Sequence, residues 1–156
     1  MPNVSPFLWF DTQAEQAATF YVSVFKNSKV TRTSRYGEAG PRPKGTVMNV
    51  EFELDGKPFT AVNGGPQFTF NEAISFVVNC TNQTEVDDYW AKLSDGGEEG
   101  PCGWLKDKFG LSWQVIPTNL SAMLGDPDQK RSGNVMRAFQ RMKKIDIAAL
   151  QQAYAL

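Results

Sequence analysis

The chain has 156 residues, 41% hydrophobic and 21% charged, which fits one soluble globular domain or two small modules sharing a core. Sixteen basic and seventeen acidic residues give a formal charge of −1, so no nucleic acid or anionic membrane is indicated as a partner. The chain has no histidine, which excludes Ser-His and Cys-His nucleophile pairs and His-ligated zinc. The start, Met1-Pro-Asn-Val, has neither a basic segment nor an apolar signal core, which predicts a cytoplasmic location.

The first part of the chain predicts a βαβββ module over residues 4–66. Thr12, followed three positions later by Glu15, predicts a capping box at the start of its helix. The Asp55-Gly56 pair predicts a tight hairpin turn between the last two strands. The strands are expected over residues 6–10, 29–36, 47–54 and 57–62, the second of them as an exposed edge strand.

The same pattern begins again over residues 67–117, which predicts a second βαβββ module. An apolar strand precedes a helix that Thr84 is expected to cap and that Gly96-Gly97 ends. The stretch from Gly103 to Pro117 has the pattern of a strand, a tight turn and a second strand. The fold class expected is therefore α+β, with two modules forming a curved mixed sheet around a cleft.

Residues 118–156 predict a helical tail. Val135, Ala138 and Phe139 fall on one helix face, and Asp146 is placed to cap a last helix. The tail has more apolar surface than it can bury by itself. We therefore expect it to dock on its own sheet or on a second subunit.

The repeat can be laid out without gaps in either part. For the first strand and the helix, a shift of 69 positions aligns Phe7 with Phe76 and Pro6 with Ser75. For the later strands, a shift of 54 positions aligns Thr60 with Gln114. Strand alternation then predicts a helix-covered face and an opposite face that encloses the cleft. The first is expected to hold Phe7, Trp9, Phe59, Ala61, Phe76, Val78, Trp113 and Val115, and the second Pro6, Leu8, Phe10, Thr60, Val62, Ser75, Val77, Asn79, Ser112, Gln114 and Ile116.

Four segments resemble the PhnB-like branch of the vicinal oxygen chelate superfamily, which includes glyoxalase I, extradiol dioxygenases and bleomycin-resistance proteins. They are FDTQAEQAATFYVSVF, FNEAISFVVNC, CGWLKDKFGLSWQVIP and KKIDIAAL, and the resemblance runs from about Val4 to Tyr154. It implies one domain over residues 1–156 with a cleft that is usually completed in a homodimer. Some members of the branch are labelled demethylubiquinone methyltransferases.

Metal-using relatives carry His, Gln or Glu at four inward positions, which the resemblance places on Pro6, Thr60, Ser75 and Gln114. Proline has no side-chain ligand atom, hydroxyls are poor ligands for transition metals, and the glutamine supplies one neutral oxygen. We therefore expect no metal centre, and no other cofactor is predicted. A Rossmann-type site for a methyl donor is not indicated either, because the glycine-rich stretch 37–45 precedes a strand and not a helix.

Gln114 is the first candidate for ligand binding, because an inward amide in an apolar strand must find a polar partner. A structural hydrogen bond to Ser75 or to the backbone is the alternative. Trp104 is expected either at the mouth of the cleft or in the core, and Cys102 lies near two lysines that favour a thiolate, although a buried, inert thiol is the simpler interpretation. The candidate ligand-binding residues are Gln114, Ser75, Thr60, Trp104, Phe10, Leu8 and Cys102; no catalytic residue is identified.

Two kinds of function fit these residues. The first is a metal-free module that binds a small apolar or aromatic molecule in the cleft of a homodimer. The second is an enzyme that uses the same cleft, such as the methyltransferase that the family label implies. A purely structural dimer is a third hypothesis. The absence of a reactive constellation in the sequence favours the first.

Overall fold

The computed structural model describes residues 2–156 and divides into two compact units, residues 2–69 and 70–156. Met1, which the predicted domain includes, lies outside the described residues. Each unit contains a four-stranded mixed sheet and the element order βαβββ, so the predicted fold class is confirmed. Among the helices of residues 2–156, none has the length and apolar character needed to span a membrane.

In the first unit the strand order is β1-β4-β3-β2, with β1 parallel to β4 and the other neighbours antiparallel. The strand β2 lies at the edge and is mostly exposed, as predicted. Asp55 and Gly56 make the hairpin turn with φ angles of 51° and 73°, a conformation that this pair adopts readily. The elements are β1 (Phe7–Phe10), α1 (Ala14–Val24), β2 (Lys29–Arg35), β3 (Val47–Leu54) and β4 (Lys57–Asn63).

The helix α1 packs on β3 and β4, and its start is fixed by a distant side chain. The predicted capping box is wrong, since the cap position is Gln13 and no side chain at that position bonds the first turn. The side-chain oxygen of Asn63, at the end of β4, accepts a hydrogen bond from the N–H of Ala14 at 2.8 Å. A residue 49 positions away thus supplies an acceptor that the local pattern had assigned to Thr12.

The register of β1 corrects the predicted faces of the first unit. Phe7 lies beside Thr60, and Leu8 lies beside Ala61. Because residues in register share a face of the sheet, Leu8 and Phe10 belong to the face that α1 covers, and both are buried, whereas Phe7 is 60% exposed. The faces predicted for Pro6, Phe7, Leu8, Trp9 and Phe10 are therefore inverted.

The same register changes the alignment of the repeat. In the second unit Val77 lies beside Gln114, just as Phe7 lies beside Thr60, so the first strands match at a shift of 70 positions instead of 69. The helices keep the predicted shift, because the turn between first strand and helix has three residues, 11–13, in the first unit and two, 81–82, in the second. An ungapped alignment of the first strand and helix of the two units cannot show this difference in turn length.

In the corrected alignment of the two units, the residue equivalent to Ser75 is Ser5 and not Pro6. The backbone carbonyl of Pro6 accepts a hydrogen bond from the N–H of Thr60 at 3.1 Å, so Pro6 is bonded to β4 by its main chain. The equivalent positions of the two units are therefore a serine and a threonine in the first, and a serine and a glutamine in the second.

The second unit has strand order β5-β8-β7-β6, with β5 parallel to β8. Its first helix is capped by Asn82, whose side chain accepts the N–H of Glu85 at 2.9 Å, so the predicted cap at Thr84 is wrong. The predicted cap at Asp146 is confirmed by its bond from the N–H of Ala149. The elements are β5 (Phe76–Cys80), α2 (Gln83–Ser94), β6 (Glu98–Glu99), β7 (Trp104–Lys106), β8 (Ser112–Pro117), α3 (Leu120–Leu124), α4 (Gln129–Phe139) and α5 (Ile147–Ala155).

The helical tail belongs to the second unit and is bonded to the start of β7 and to α2. The N–H groups of Cys102 and Gly103 donate to backbone carbonyls of residues 142 and 143, both at 2.8 Å. The side chain of Gln83 donates to the carbonyl of Ile145 at 2.9 Å, and the side chain of Ile145 is fully buried. The segment between α4 and α5 is therefore tied both to the start of β7 and to the start of α2.

Candidate functional site

One face of the second sheet is left uncovered by α2 and carries three of the seven predicted site residues, Gln114, Ser75 and Trp104. Trp113 and Val115 are buried on the side of α2, whereas Gln114, between them in β8, lies beside Val77 of β5 and Trp104 of β7. The predicted alternation along β8 is thus confirmed. We call this uncovered side, which carries Val77, Trp104, Lys106, Ser112 and Gln114, the open face of the second sheet.

Gln114 and Ser75 meet on the open face. The Nε2 of Gln114 donates to the Oγ of Ser75 at 3.0 Å, which is the structural hydrogen bond considered as the alternative to ligand binding. No protein group within residues 2–156 donates to the Oε1 of Gln114. The pair therefore still presents one acceptor, the amide oxygen, and one donor, the serine hydroxyl hydrogen.

A cavity of about 340 Å³ lies at the edge of the open face, next to β6 and β7. Trp104, Lys106 and Ser112 line it from the sheet. Two carboxylates, Glu72 and Glu98, line it as well. Its volume is at the lower end of the range of small-molecule sites, and its wall combines an aromatic ring with charged groups.

The charged groups of this cavity are mostly acidic. Glu72 and Glu98 face one basic residue, Lys106, whose Nζ forms an ion pair with Glu72. The hydrogen bond and the charge of Glu72 raise the pKa of Lys106, and the charge of Glu98 acts in the same direction. Both partners of the ion pair are solvent-accessible, so it can separate at little cost.

Ser112 is the least accessible polar residue of the cavity. Its exposed fraction is 0%, and its Oγ has no hydrogen-bond partner among the described residues. It lies beside Lys106 in the antiparallel pairing of β7 with β8, so the stem of the lysine runs next to the hydroxyl. A buried hydroxyl without a partner costs about 1–3 kcal/mol, which a ligand that bonds to it would recover.

The turn before β8 holds these side chains in place. The carboxylate of Asp107 accepts the N–H groups of Phe109 at 2.8 Å and Leu111 at 3.1 Å, and so closes the tight turn that was predicted between Gly103 and Pro117. It also accepts the indole N–H of Trp113 at 2.9 Å. Because the indole is fixed on the side of α2, the neighbouring residues of β8, Ser112 and Gln114, are directed to the open face.

The remaining predicted site residues have other positions. Thr60 belongs to the first unit, where it occupies the position equivalent to Gln114. Leu8 and Phe10 lie in the core beneath α1, so their predicted place on the cleft face is wrong. Cys102 has a left-handed backbone, with φ of 60°, and its N–H holds the tail; its side chain is half-buried.

Local sequence patterns do not indicate the acidic residues of the cavity. Glu98 and Glu99 form a strand of two residues, which is too short to show a period of two. Glu98 lies beside Lys106 in the antiparallel pairing with β7, a charge complement that would have been visible only if the hairpin register had been known. Glu72 lies outside the strands and helices and reaches the cavity through its ion pair.

A depression of about 460 Å³ in the first unit is a weaker candidate. Its arginines already have partners: Arg35 donates to the carbonyl of Gly45 at 3.0 Å, and Arg42 lies 3.9 Å from the carboxylate of Asp11. Asn63, which also lines it, caps α1. Since these polar groups are engaged within the protein, the cavity beside Trp104 is the better site.

The residues at the four equivalent positions do not fit a divalent metal. In the second unit they are a hydroxyl and a neutral amide already bonded to each other, and in the first they are the hydroxyls of Ser5 and Thr60. Protein sites for divalent ions usually include carboxylate, imidazole or thiolate ligands, and these positions supply none. Nowhere in residues 2–156 do three or more His, Cys, Asp or Glu side chains come together in a way that could hold a metal ion.

A nucleotide-type methyl donor has no Rossmann site in the described residues. The turns that lead from β1 into α1 and from β5 into α2, residues 11–13 and 81–82, contain no glycine. The sheets have four strands in mixed order, without the succession of parallel strands that creates a dinucleotide crevice. Any such donor would have to bind in another way.

Several solved structures share this architecture. A PhnB protein from Bacillus cereus, provisionally described as a 3-demethylubiquinone-9 3-methyltransferase, is 35% identical, with a TM-score of 0.67 over 75% of this chain and 100% of its own. A protein from Pseudomonas aeruginosa is 18% identical, with a TM-score of 0.62 over 75% of this chain and 98% of its own. The fosfomycin resistance protein FosX from Listeria monocytogenes is 14% identical, with a TM-score of 0.56 over 79% and 96%. The last two likenesses show the fold alone, and no curated protein matches the chain.

Two βαβββ units, each with an uncovered sheet face, place the chain in the vicinal oxygen chelate fold, which the PhnB and FosX proteins share. The family model described as 3-demethylubiquinone-9 3-methyltransferase matches residues 2–116, and the chain belongs to this PhnB-like family. The match ends at the last strand of the second unit. The part of the resemblance that was predicted in the tail therefore stays a prediction.

Proposed function

We propose that this protein binds a small, largely apolar or aromatic molecule on the open face of the second sheet without the help of a metal ion. The ligand would lie against Trp104, with its polar group bonded to the free amide oxygen of Gln114 and to the hydroxyl of Ser75. The observation that carries the proposal is the hydrogen bond of 3.0 Å between these two side chains. The resemblance to the superfamily implies that both stand at positions where metal-using relatives carry ligands. The hydrogen bond fixes the direction of two polar groups next to Trp104 and the exposed side chain of Val77.

The charge and chemistry of the donor set support binding without a metal. A hydroxyl and an amide supply no negative charge to offset a divalent cation, whereas they suit an organic ligand that carries one donor and one acceptor. The test is elemental analysis of protein purified without chelator and then dialysed. We expect no metal at stoichiometric amounts; one equivalent of zinc, nickel or iron that Gln114→Ala removes would overturn the proposal.

Binding itself can be tested with a soluble benzoquinone, chosen because the family's description names a ubiquinone precursor. We expect saturable quenching of tryptophan fluorescence, and a several-fold weaker affinity for Gln114→Leu, which keeps the shape but removes both polar atoms. Gln151→Leu, an exposed change on α5, is the matched control and should bind as the wild type does. Equal affinity of the wild type and Gln114→Leu would contradict the assigned site.

A methyltransferase that uses the same face is the second candidate, and the family match is the observation that favours it. It requires a binding mode for the methyl donor other than a Rossmann crevice. S-adenosylmethionine should then raise the melting temperature, because a ligand that binds only the native state stabilises it. No shift at millimolar concentration of the donor would count against this candidate and leave the binding module standing.

We further propose that the protein acts as a homodimer, as the resemblance to the superfamily implies. Ile74 and Val77 are 71% and 47% exposed in the second unit, and Phe7 is exposed in the first, so each unit has apolar surface that a second subunit could cover. Sedimentation equilibrium at micromolar concentration should give twice the mass of the chain. A monomer over the whole concentration range would contradict this assembly.

A further inference from the structure

We infer that the cavity beside β6 and β7 selects a small organic cation: a ligand whose ammonium group lies between Glu98 and Ser112 and whose apolar body lies against Trp104. The inference rests on the proposed function, because Trp104 borders both the open face and the cavity. It adds the sign of the ligand's charge, which Gln114 and Ser75 by themselves leave open.

The first argument is charge. Glu72 and Glu98 share the side of the cavity with Lys106, whereas the Glu99 carboxylate is directed to α2, so one negative charge is in excess. Lys106 is already paired with Glu72, and Glu99 accepts the indole N–H of Trp90 at 3.0 Å. Glu98 interacts with Lys106 only through its longer-range charge, so it is the carboxylate best able to receive a cation. An anionic ligand would have to displace Glu72 from Lys106 and approach Glu98.

The second argument is the unpaired hydroxyl, which is independent of the surface charges. The Oγ of Ser112 is fully buried at the wall of the cavity and has no partner among the described residues. An ammonium group carries three donors and can bond a hydroxyl oxygen and a carboxylate at the same time. Access to the hydroxyl passes the stem of Lys106, which lies beside Ser112 in the sheet. A cation that competes for Glu72 would release this lysine.

The third argument is the aromatic wall. The indole of Trp104 lines the cavity, and the face of an indole attracts a cation more strongly than other aromatic rings do. A ligand with a short apolar or aromatic body can therefore cover the ring while its charged end reaches the carboxylates. The volume of about 340 Å³ limits this body to the size of one or two rings.

The test compares three probes of nearly the same shape: 2-phenylethylammonium, 2-phenylethanol and phenylacetate. Calorimetry or tryptophan fluorescence should show the ammonium probe binding about tenfold more tightly than the alcohol, and the anion most weakly. Added salt should weaken only the ammonium probe. If the alcohol binds as well as the cation, the selectivity is refuted while the proposed function stands. If no probe of the three and no benzoquinone binds, both fail.

Two variants locate the effect. Glu98→Gln should weaken the ammonium probe by about threefold and leave the alcohol unchanged. Asp88→Asn is the matched control, since it removes the same charge from an exposed position on α2, where Asp88 pairs with Lys92. Equal losses in both variants would mean that only the overall charge of the protein matters, and would overturn the assigned cavity.

Ser112→Ala separates a ligand contact from a structural role. Because the hydroxyl has no partner, we expect the melting temperature to stay the same or rise, and the affinity for the ammonium probe to fall several-fold. A lower melting temperature would show that the hydroxyl bonds within the protein. Unchanged affinity would show that the ligand does not reach it. Either result contradicts the part assigned to Ser112.

Discussion

The buried carboxylate of Asp107 accepts a hydrogen bond from the indole N–H of Trp113, with 2.9 Å between the two atoms. The same carboxylate closes the turn by accepting the N–H groups of Phe109 and Leu111. One side chain therefore sets both the shape of the hairpin and the side of the sheet on which Trp113 lies. Since side chains alternate along β8, it also determines where Ser112 and Gln114 point.

Asp107→Ala should destabilise the protein strongly, because three donors lose their acceptor at a buried position. We expect the free energy of unfolding to fall by about 2–4 kcal/mol. Urea denaturation followed by circular dichroism measures it. Asp88→Ala, at an exposed site on α2, serves as the control and should change stability by less than about 0.5 kcal/mol. A similar, small loss in both variants would mean that the turn does not depend on Asp107.

The two helix caps differ in burial and should differ in energy. Asn63 is 8% exposed, and its amide both accepts the N–H of Ala14 and donates to the carbonyl of Val47 at 3.2 Å. We expect Asn63→Ala to cost about 2–3 kcal/mol, whereas Asn82→Ala, at an exposed cap of α2, should cost about 1 kcal/mol. The comparison uses the same urea titration. If the two losses are equal, the cap at Asn63 gains nothing from its burial.

Removal of the Gln83 side chain should loosen the tail without unfolding the sheet. Its amide donates to the carbonyl of Ile145 and accepts the N–H of Ile147 at 2.8 Å, so both bonds to the tail are lost in Gln83→Ala. We expect faster hydrogen exchange over residues 140–150 and unchanged exchange in β8. Gln151→Ala, an exposed change on α5, is the control. Uniform acceleration across the unit would indicate global destabilisation instead of local release.

Cys80 should make the protein less stable at high pH. Burial, aided by the charge of Glu85, raises the pKa of this thiol from its ordinary value of 9.0 to about 11. Between these two values the folded protein keeps a proton that the unfolded chain releases. Its contribution to stability is therefore complete below pH 9 and is lost as the pH rises to 11.

The measurement is the urea midpoint of the wild type and of Cys80→Ala as a function of pH. We expect the wild type to lose more stability than Cys80→Ala between pH 9 and 11, and the two to run parallel at lower pH. Burial, with smaller contributions from the charges of Glu85 and Cys80, raises the pKa of the nearby Tyr89, so only the part due to Cys80 differs between the two proteins. Parallel curves over the whole range would contradict the shift at Cys80.

Parts of the site could be predicted because they depend on neighbours a few positions away. The turn at Asp107 and the alternation that directs Gln114 and Trp113 to opposite faces follow from turn chemistry and from the two-residue period of a strand. The bond from Gln114 to Ser75 spans 39 positions, yet it was considered because the repeat had set both residues on one face. The acidic wall at Glu98 depends on pairing across a hairpin, so it was not found.

The sequence by itself determined the α+β class, the βαβββ order of both units and the absence of histidine chemistry, because these depend on composition and short-range periodicity. Only the tertiary structure decided that Asn63 caps α1 and that Leu8 and Phe10 lie in the core. One additional residue in the turn between β1 and α1 changes which side of the sheet each residue of β1 faces. No local sequence signal indicates the length of that turn. The register of β1 is therefore known only from its pairing with β4, a strand that begins 50 positions further on.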